Sequence, residues 1–308
     1  MELILNRSCH LLFWTIFLFL WPPLAMANCD GPYKGQKISA EQLQHIAAQH
    51  KIWFKEMGKT SNIHDERRAN LCGAQLQNMS LNNMDLSRAD LMEANLTGAK
   101  LKRTKLYRAS LDKAILNEAN LLKADLTEAY LFNVEMKRAK LTETILVNAL
   151  LDGSNLNESN LNGANLTKAR LDGVNLSETI LQYANLTNAS LRNANLSYAD
   201  LTLTILTGSV LYKANLKKVI YFPKFGKLPD ITTLLFAENF EDMKYHDPIV
   251  GAPALRELRA AYRKAGMRPR ERLITYMIKD AEEQTNWEKG GWKRGYQLKP
   301  IQFANSKG

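Results

Sequence analysis

The chain lacks most of what a catalytic reading would start from. It has no G-x-S-x-G elbow, no phosphate-binding loop and no C-x-x-C pair. The signatures of activated serine, nucleotide hydrolysis and dithiol redox chemistry are therefore missing. Histidine is scarce, with five in 308 residues. His45, His50 and His64 share the N-terminal region, but the five-residue step from His45 to His50 does not place them on one helix face. No metal and no cofactor are expected. Charge of one sign is not concentrated either. The formal charge is +10, from 41 Lys+Arg against 31 Asp+Glu, and it divides as +1 over residues 28–67, +4 over 68–220 and +5 over 221–308. No stretch is dense enough for a nucleic-acid arm. The basic balance admits acidic partners without requiring them.

An apolar run long enough to cross a bilayer is also absent. Leu11–Trp21 is apolar for 11 residues, about half of what a span needs. Pro22-Pro23 ends it, and Ala25-Met26-Ala27 then supplies the small residues that a signal peptidase reads at −3 and −1. Residues 1–27 read as a secretory signal, although Glu2 offsets Arg7 in the n-region; an uncleaved anchor is the alternative. A lipoprotein signal at Cys29 is rejected, because Met26-Ala27-Asn28 lacks a small residue at −1. The mature chain is expected in the periplasm or outside the cell, with no transmembrane span. Cleavage removes Cys9 and leaves Cys29 and Cys72. Two cysteines in an oxidising compartment point to one disulfide. It would close a loop of roughly 40 residues and contribute about 3–4 kcal/mol. Two unpaired thiols are the alternative.

The middle of the chain lacks the periods of both helix and strand. From Leu71 to Leu216 every fifth residue is Leu, except Met136, for thirty positions without a slip. Calling the Leu position i, residue i−2 is small or apolar, mostly Ala, and positions i−1, i+1 and i+2 are mostly polar. A helix would scatter a five-residue period around its axis, and a strand would alternate it between faces. A chain that turns about 90° every five residues buries all the leucines together, with four pentads to a square coil. Small residues at i−2 follow from the little room that four leucines leave. Stacked coils, about 4.8 Å apart, pair their backbone groups with the coils above and below. A self-similar array of this kind is itself the fold.

The motif A-(N/D)-L-x-x over residues 69–218 resembles that of pentapeptide-repeat proteins. The resemblance implies an all-β solenoid, a right-handed quadrilateral β-helix. Thirty pentads make about 7.5 coils and a rod of roughly 36 Å. Each buried Leu contributes about 2 kcal/mol, less than ordering its pentad costs, so the stack is stable only as an array.

An open stack has two ragged edges, and the flanking sequences read as covers. Within the N-terminal cap (28–67), Ser39 with Gln42 forms a capping box. Leu43, Ile46, Ala47, His50, Trp53 and Phe54 recur at helical spacing, which predicts a helix over about 39–57. The stretch HKIWF also resembles the H-x-x-W-L leader of some family members. The array domain (68–220) ends at Tyr221-Phe222-Pro223. A linker (221–252) leads to a predicted αα-hairpin and tail (253–308). Its stripes are Leu255, Leu258, Ala261, Tyr262 and Ala265, then Leu273, Tyr276, Met277 and Ala281, with Gly266 as the stop between them. The tail has no apolar span of the kind that would imply a channel.

Candidate sites lie at the outward positions. Asp152 and Asp172 stack about 5 Å apart, near the carboxylate spacing of a retaining glycosidase. Both precede Gly at a corner, and Arg170 and Arg192 lie nearby, so a structural role is the stronger reading. A basic patch comprises Lys100, Lys102, Arg103, Lys105 and Arg108, with Tyr107 among them and Lys123 and Lys140 on the same side. It is either a site for phosphate-rich partners or a solvated face. An apolar patch comprises Tyr130, Phe132, Ile145, Val147 and Leu150, open to a protein partner or to the chain's own hairpin. Asn155, Asn175, Asn195 and Asn215 form a structural ladder. Five N-L-T/S sequons (Asn95, Asn165, Asn175, Asn185, Asn195) follow from the repeat grammar.

The expected function is a non-enzymatic, exported scaffold that presents β-helical surface to a protein or to an anionic membrane. Two rivals remain. Some proteins of the resembled family mimic DNA and bind topoisomerase, but that use needs a cytoplasmic, strongly acidic rod. The other is a glycosidase-like enzyme on Asp152 and Asp172. Nucleic acid is not the expected partner.

Overall fold

The computed structural model describes residues 29–56, 66–222, 237–238, 244–245, 256, 259–272, 274–276 and 278–279. The expected export signal, His64 and the C-terminal tail lie outside them. Residues 69–221 form a right-handed quadrilateral β-helix. Face 1 carries Leu71, Leu91 and their successors at steps of 20. Faces 2, 3 and 4 start at Leu76, Leu81 and Leu86. Every one of these leucines is buried, and with the Ala residues at i−2 they form one continuous core.

The pentad can be derived from its main-chain accounting. Leu71 N–H bonds Asp90 C=O on the next coil at 2.7 Å, and Gly73 N–H bonds Met92 C=O at 2.7 Å. Asn95 N–H bonds Ala74 C=O on the coil below at 2.9 Å, and Ala74 N–H closes a turn onto Leu71 C=O at 3.1 Å. These four bonds recur along the array. The turn needs a left-handed residue at i+2, and all thirty such positions have φ between +54° and +69°, 24 of them without being glycine. The fifth N–H, at i+1, has no main-chain partner in this scheme. Where i−1 is Asn or Asp, its side chain accepts it: Asn95 Oδ1 from Thr97 N at 3.2 Å, Asp125 from Thr127 at 3.0 Å, Asn185 from Thr187 at 3.0 Å. This is the physical reason for Asn or Asp in the motif, since a buried unpaired N–H is costly. Along face 2 the same Asn oxygens also accept from the Asn one coil above, at 3.1–3.2 Å.

At the N-terminal end, α1 (Ala40–Glu56) is entered through reciprocal Ser39–Gln42 bonds of 2.8 and 3.1 Å. It buries Leu43, Ile46, His50 and Trp53. Residues 29–38 run under the first coil. Gly35 N–H bonds Gly73 C=O, Gln75 N–H bonds Gln36 C=O, and Lys37 bridges Gln75 in parallel. Gly31 passes so close that a Cβ there would lie 2.7 Å from Asn70 Oδ1 and 2.9 Å from Cys72 Cβ.

The opposite end is finished by short parallel strands in the order β1 (Asp200–Thr202), β2 (Ile220–Phe222), β3 (Lys244–Tyr245). Glu238 extends the Asn195–Asn215 column by one rung. Beyond it, residues 259–264 and 268–272 are helical about a turn at Ala265-Gly266. Glu271 takes Arg263 at 2.6 Å and Arg268 at 3.0 Å. Tyr262 is buried as its stripe predicts, but Tyr276 is 55% exposed, while Ile274 and Ile278 are buried. Tyr276 was expected inside; it lies two residues, about 200° of helix, from either isoleucine, and the i, i+4 pair takes the inner face. Leu255, Leu258, Leu273, Met277 and Ala281 lie outside the described side chains.

Candidate functional site

Side chains in the outward columns are governed by the 20-residue repeat, because residues 20 apart stand one above the other. The common solution for a corner charge is an opposite charge one coil away. Arg108 binds Glu128 at 2.6 Å, Arg138 binds Glu118 at 2.7 Å, Lys123 binds Glu143 at 3.1 Å and Lys113 lies 3.9 Å from Glu93. The hydrogen bond donated to Glu128 holds the Arg108 guanidinium above its ordinary pKa.

The apolar patch is thereby divided. Tyr130 and Leu150 stack on face 1 and, with Arg108, Glu128 and Asn148 from the adjoining corner, line a cleft of about 460 Å³. Phe132 lies beside them but is covered: Arg170 sits 5.3 Å over its ring and donates to Asp152 at 2.6 Å. Ile145, 40% exposed, and Val147 belong to face 4, beyond the Asn148 corner. A second cleft, of about 420 Å³, lies where the helical segments meet the last coil, between Tyr212, Lys213, Glu238, Met267, Pro269 and Arg270.

The basic patch is one stretch of chain turning from face 3 to face 4, with all five side chains exposed. Lys105 lies 3.7 Å from Asp85 and Arg108 is paired as above. Lys100, Lys102 and Arg103 have no ion pair among the described residues.

Asp172 accepts the Ser190 hydroxyl at 2.5 Å and the Arg192 N–H at 3.0 Å. It thus serves the otherwise unpaired i+1 N–H of the coil above. Asn82, Asp112 and Asn117 do the same for Lys102, Phe132 and Lys137, at 2.8–3.0 Å. In each of these four pentads the i−1 residue is Lys100, Tyr130, Glu135 or Ser190, none of which is Asn or Asp. Burial, with the Asp90 charge adding to it, raises the Asp112 pKa above its usual value, against the bonds from Phe132 N–H and Ser110. The offset of 20 was readable in the sequence; its use for capping across coils was not, because the N–H left over at i+1 appears only once the main chain is traced.

Cys29 and Cys72 are joined in a disulfide with Cα atoms 5.5 Å apart. His50 is fully buried, accepts Ala69 N–H on Nδ1 at 3.0 Å and lies 2.9 Å from Ser87 C=O through Nε2. Its ring stacks on Trp53 at 5.2 Å. Among the described residues no group of three or more His, Cys, Asp or Glu is arranged to hold a metal.

No curated protein matches the chain. Solved structures do. QnrB1, a plasmid-mediated fluoroquinolone resistance protein, is 20% identical over 62% of this chain and 92% of its own, with a TM-score of 0.49. The pentapeptide-repeat protein Rfr23 from the cyanobacterium Cyanothece 51142 is 45% identical over 28% of this chain and 58% of its own, at 0.28. HetL, a pentapeptide-repeat protein involved in heterocyst differentiation regulation in Nostoc sp. strain PCC 7120, is 24% identical over 70% of this chain and 99% of its own, at 0.23. The family model for pentapeptide repeats matches eight copies spanning residues 69–220. With thirty pentads in register around one core, the chain belongs to the pentapeptide-repeat family.

Proposed function

We propose that the chain is a non-catalytic, exported scaffold whose rod holds a partner protein in the cleft at the face 4–face 1 corner. The observation that carries this is the composition of that cleft. Tyr130 and Leu150 supply apolar surface, and Arg108, Glu128 and Asn148 supply polar edges around it. An apolar centre with a polar rim is the usual anatomy of a protein interface, and Tyr and Arg are its common anchors. Export is supported by the buried Cys29–Cys72 disulfide, since such bonds persist in oxidising compartments. A non-catalytic role is supported by the partners of Asp152 and Asp172, which are tied to Arg170, Ser190 and the Arg192 N–H.

The test is a photo-crosslinking amino acid at position 130 in the producing cell, with and without Leu150→Asp. A discrete protein adduct that disappears with Leu150→Asp is expected. The same adducts in both chains, or none, would overturn the assignment of the cleft.

A further inference from the structure

On face 3 the pairing of charges between coils largely fails. Its i−1 column reads Ser80, Lys100, Asn120, Lys140, Asn160, Ile180 and Asp200. Its i+1 column reads Asn82, Lys102, Leu122, Thr142, Asn162, Gln182 and Thr202. Its i+2 column reads Asn83, Arg103, Lys123, Glu143, Gly163, Tyr183 and Leu203. The neighbours one coil above and below Lys100, Lys102, Arg103 and Lys140 are never acidic, so these four cations have no column partner. The face holds two carboxylates, and both are engaged. Glu143 pairs with Lys123 at 3.1 Å, and Asp200 accepts Gln182 Nε2 at 2.6 Å and Thr202 N–H at 2.9 Å. Four coils along the same columns, Ile180 and Tyr183 replace Lys100 and Arg103, 41% and 53% exposed, and Tyr198 on the adjoining corner is 49% exposed with Lys218 at 5.2 Å over its ring.

One flat side thus carries free cations at one end and exposed Ile and Tyr at the other, about 19 Å apart along the rod at the coil spacing. Neither described cleft lies on this face, so it fits an extended surface rather than a small ligand. Basic side chains seek anionic headgroups. Tyr sits at the headgroup level, and apolar side chains enter the boundary below it. We propose that face 3 is a peripheral docking face for an anionic lipid bilayer, on which the rod lies flat with its long axis parallel to the surface. The cleft at the face 4–face 1 corner then stays accessible to a protein partner.

The test is sedimentation of the full-length chain with phosphatidylcholine vesicles, with and without phosphatidylglycerol. Residues 11–21 are common to every variant, so differences report on the faces. The triple change Lys100→Glu, Lys102→Glu, Arg103→Glu is expected to weaken binding to the anionic vesicles about a hundredfold. Lys168→Glu, Arg192→Glu, Lys217→Glu makes the same net change on the other three faces and is expected to leave binding unaltered. Lysine acylation read by mass spectrometry is expected to show Lys100, Lys102 and Lys140 protected by anionic vesicles and Lys168 and Lys217 open. Equal loss in both triples would reduce the effect to net charge and overturn the proposal. So would uniform lysine protection, or heparin binding that depends on the first triple without any preference for anionic vesicles. The pair Tyr130→Asp, Leu150→Asp leaves vesicle binding intact, which separates this outcome from that for the protein cleft.

Discussion

An interior coil and the first coil face the same accounting problem and solve it differently. Inside the array each coil receives its bonds from the coils on either side, and wherever an Asn or Asp stands at i−1 it takes the one N–H the main chain leaves over. The first coil has no predecessor. Residues 29–38 take its place beneath Gly73 and Gln75, and at the Ala69 edge an imidazole does. His50 Nδ1 accepts Ala69 N–H, the place of a missing turn, and Nε2 meets Ser87 C=O, the place of a missing i+2 N–H. An acceptor at Nδ1 fixes the proton on Nε2. The repeat stabilises itself only where it has neighbours; its edge needs a residue chosen for that edge.

The sharpest break of this comparison is His50→Ala. It leaves the Ala69 N–H and the Ser87 C=O buried without partners, at roughly 1–3 kcal/mol each, and removes the stack on Trp53. The loss expected in urea denaturation is about 3 kcal/mol or more, with faster hydrogen exchange at Ala69 and little change at mid-array amides. A loss under about 0.5 kcal/mol would show that water satisfies the edge unaided.

The same imidazole gives the edge a pH dependence that the interior does not share. Burial holds the His50 pKa below 6.5, and Arg68 pushes it further down. The Ser87 carbonyl and Asp85 oppose them. A depressed value means that the unfolded chain takes up the proton first. This contribution is therefore complete above about pH 6.5 and falls as the pH drops through that value toward the folded one. The urea midpoint of the wild type is expected to fall between about pH 7 and pH 5 more steeply than that of His50→Ala. Parallel slopes would assign the dependence elsewhere.

Legibility followed the same division. The coil, its period and its interior could be read from Leu71 to Leu216, because thirty repetitions state one structural rule thirty times. The helix around His50 was readable as an amphipathic element, but the role of His50 was not, since an edge occurs once and has no period. At the surface, the five basic residues were readable as a group. Their division into paired Lys105 and Arg108 and free Lys100, Lys102 and Arg103 required the columns. The apolar patch was split for the same reason: Arg170 reaches Phe132 from two coils above, a distance of 38 residues in sequence.

A smaller break lies inside the array. Val134 is the one i−2 residue whose turn bond is not direct. Ser154 Oγ donates to Leu131 C=O at 2.5 Å and accepts Val134 N–H at 2.9 Å, entering the turn that carries Phe132. The longest direct closures also belong to β-branched residues, 3.4 Å at Thr179 and 3.3 Å at Val174. Ser154→Ala is expected to cost about 1–2 kcal/mol in the native chain and close to nothing when Val134→Ala lets the turn close directly. Additive costs in the double-mutant cycle would mean the two sites are independent.

The smallest effect has the opposite sign and compares two ways of serving the same N–H. Asp112 caps Phe132 from the coil below, where pentads with Asn or Asp at i−1 use that residue. Its pKa is raised, chiefly by burial, so the folded state holds its proton to higher pH than the unfolded chain. The stability it contributes is complete below about pH 3.9, the ordinary value, and is lost as the pH rises through the folded one. At neutral pH the carboxylate is thus a poorer occupant than a neutral acceptor of the same shape. Asp112→Asn keeps an oxygen for the Phe132 N–H and removes the charge, so it is expected to stabilise by a few tenths of a kcal/mol at pH 7 and to flatten the acid side of the profile. Asp112→Ala removes the acceptor and is expected to cost about 1–2 kcal/mol. If Asn and Ala cost the same, the contact with Phe132 is incidental, and capping between coils does not explain why these columns carry Asp and Asn.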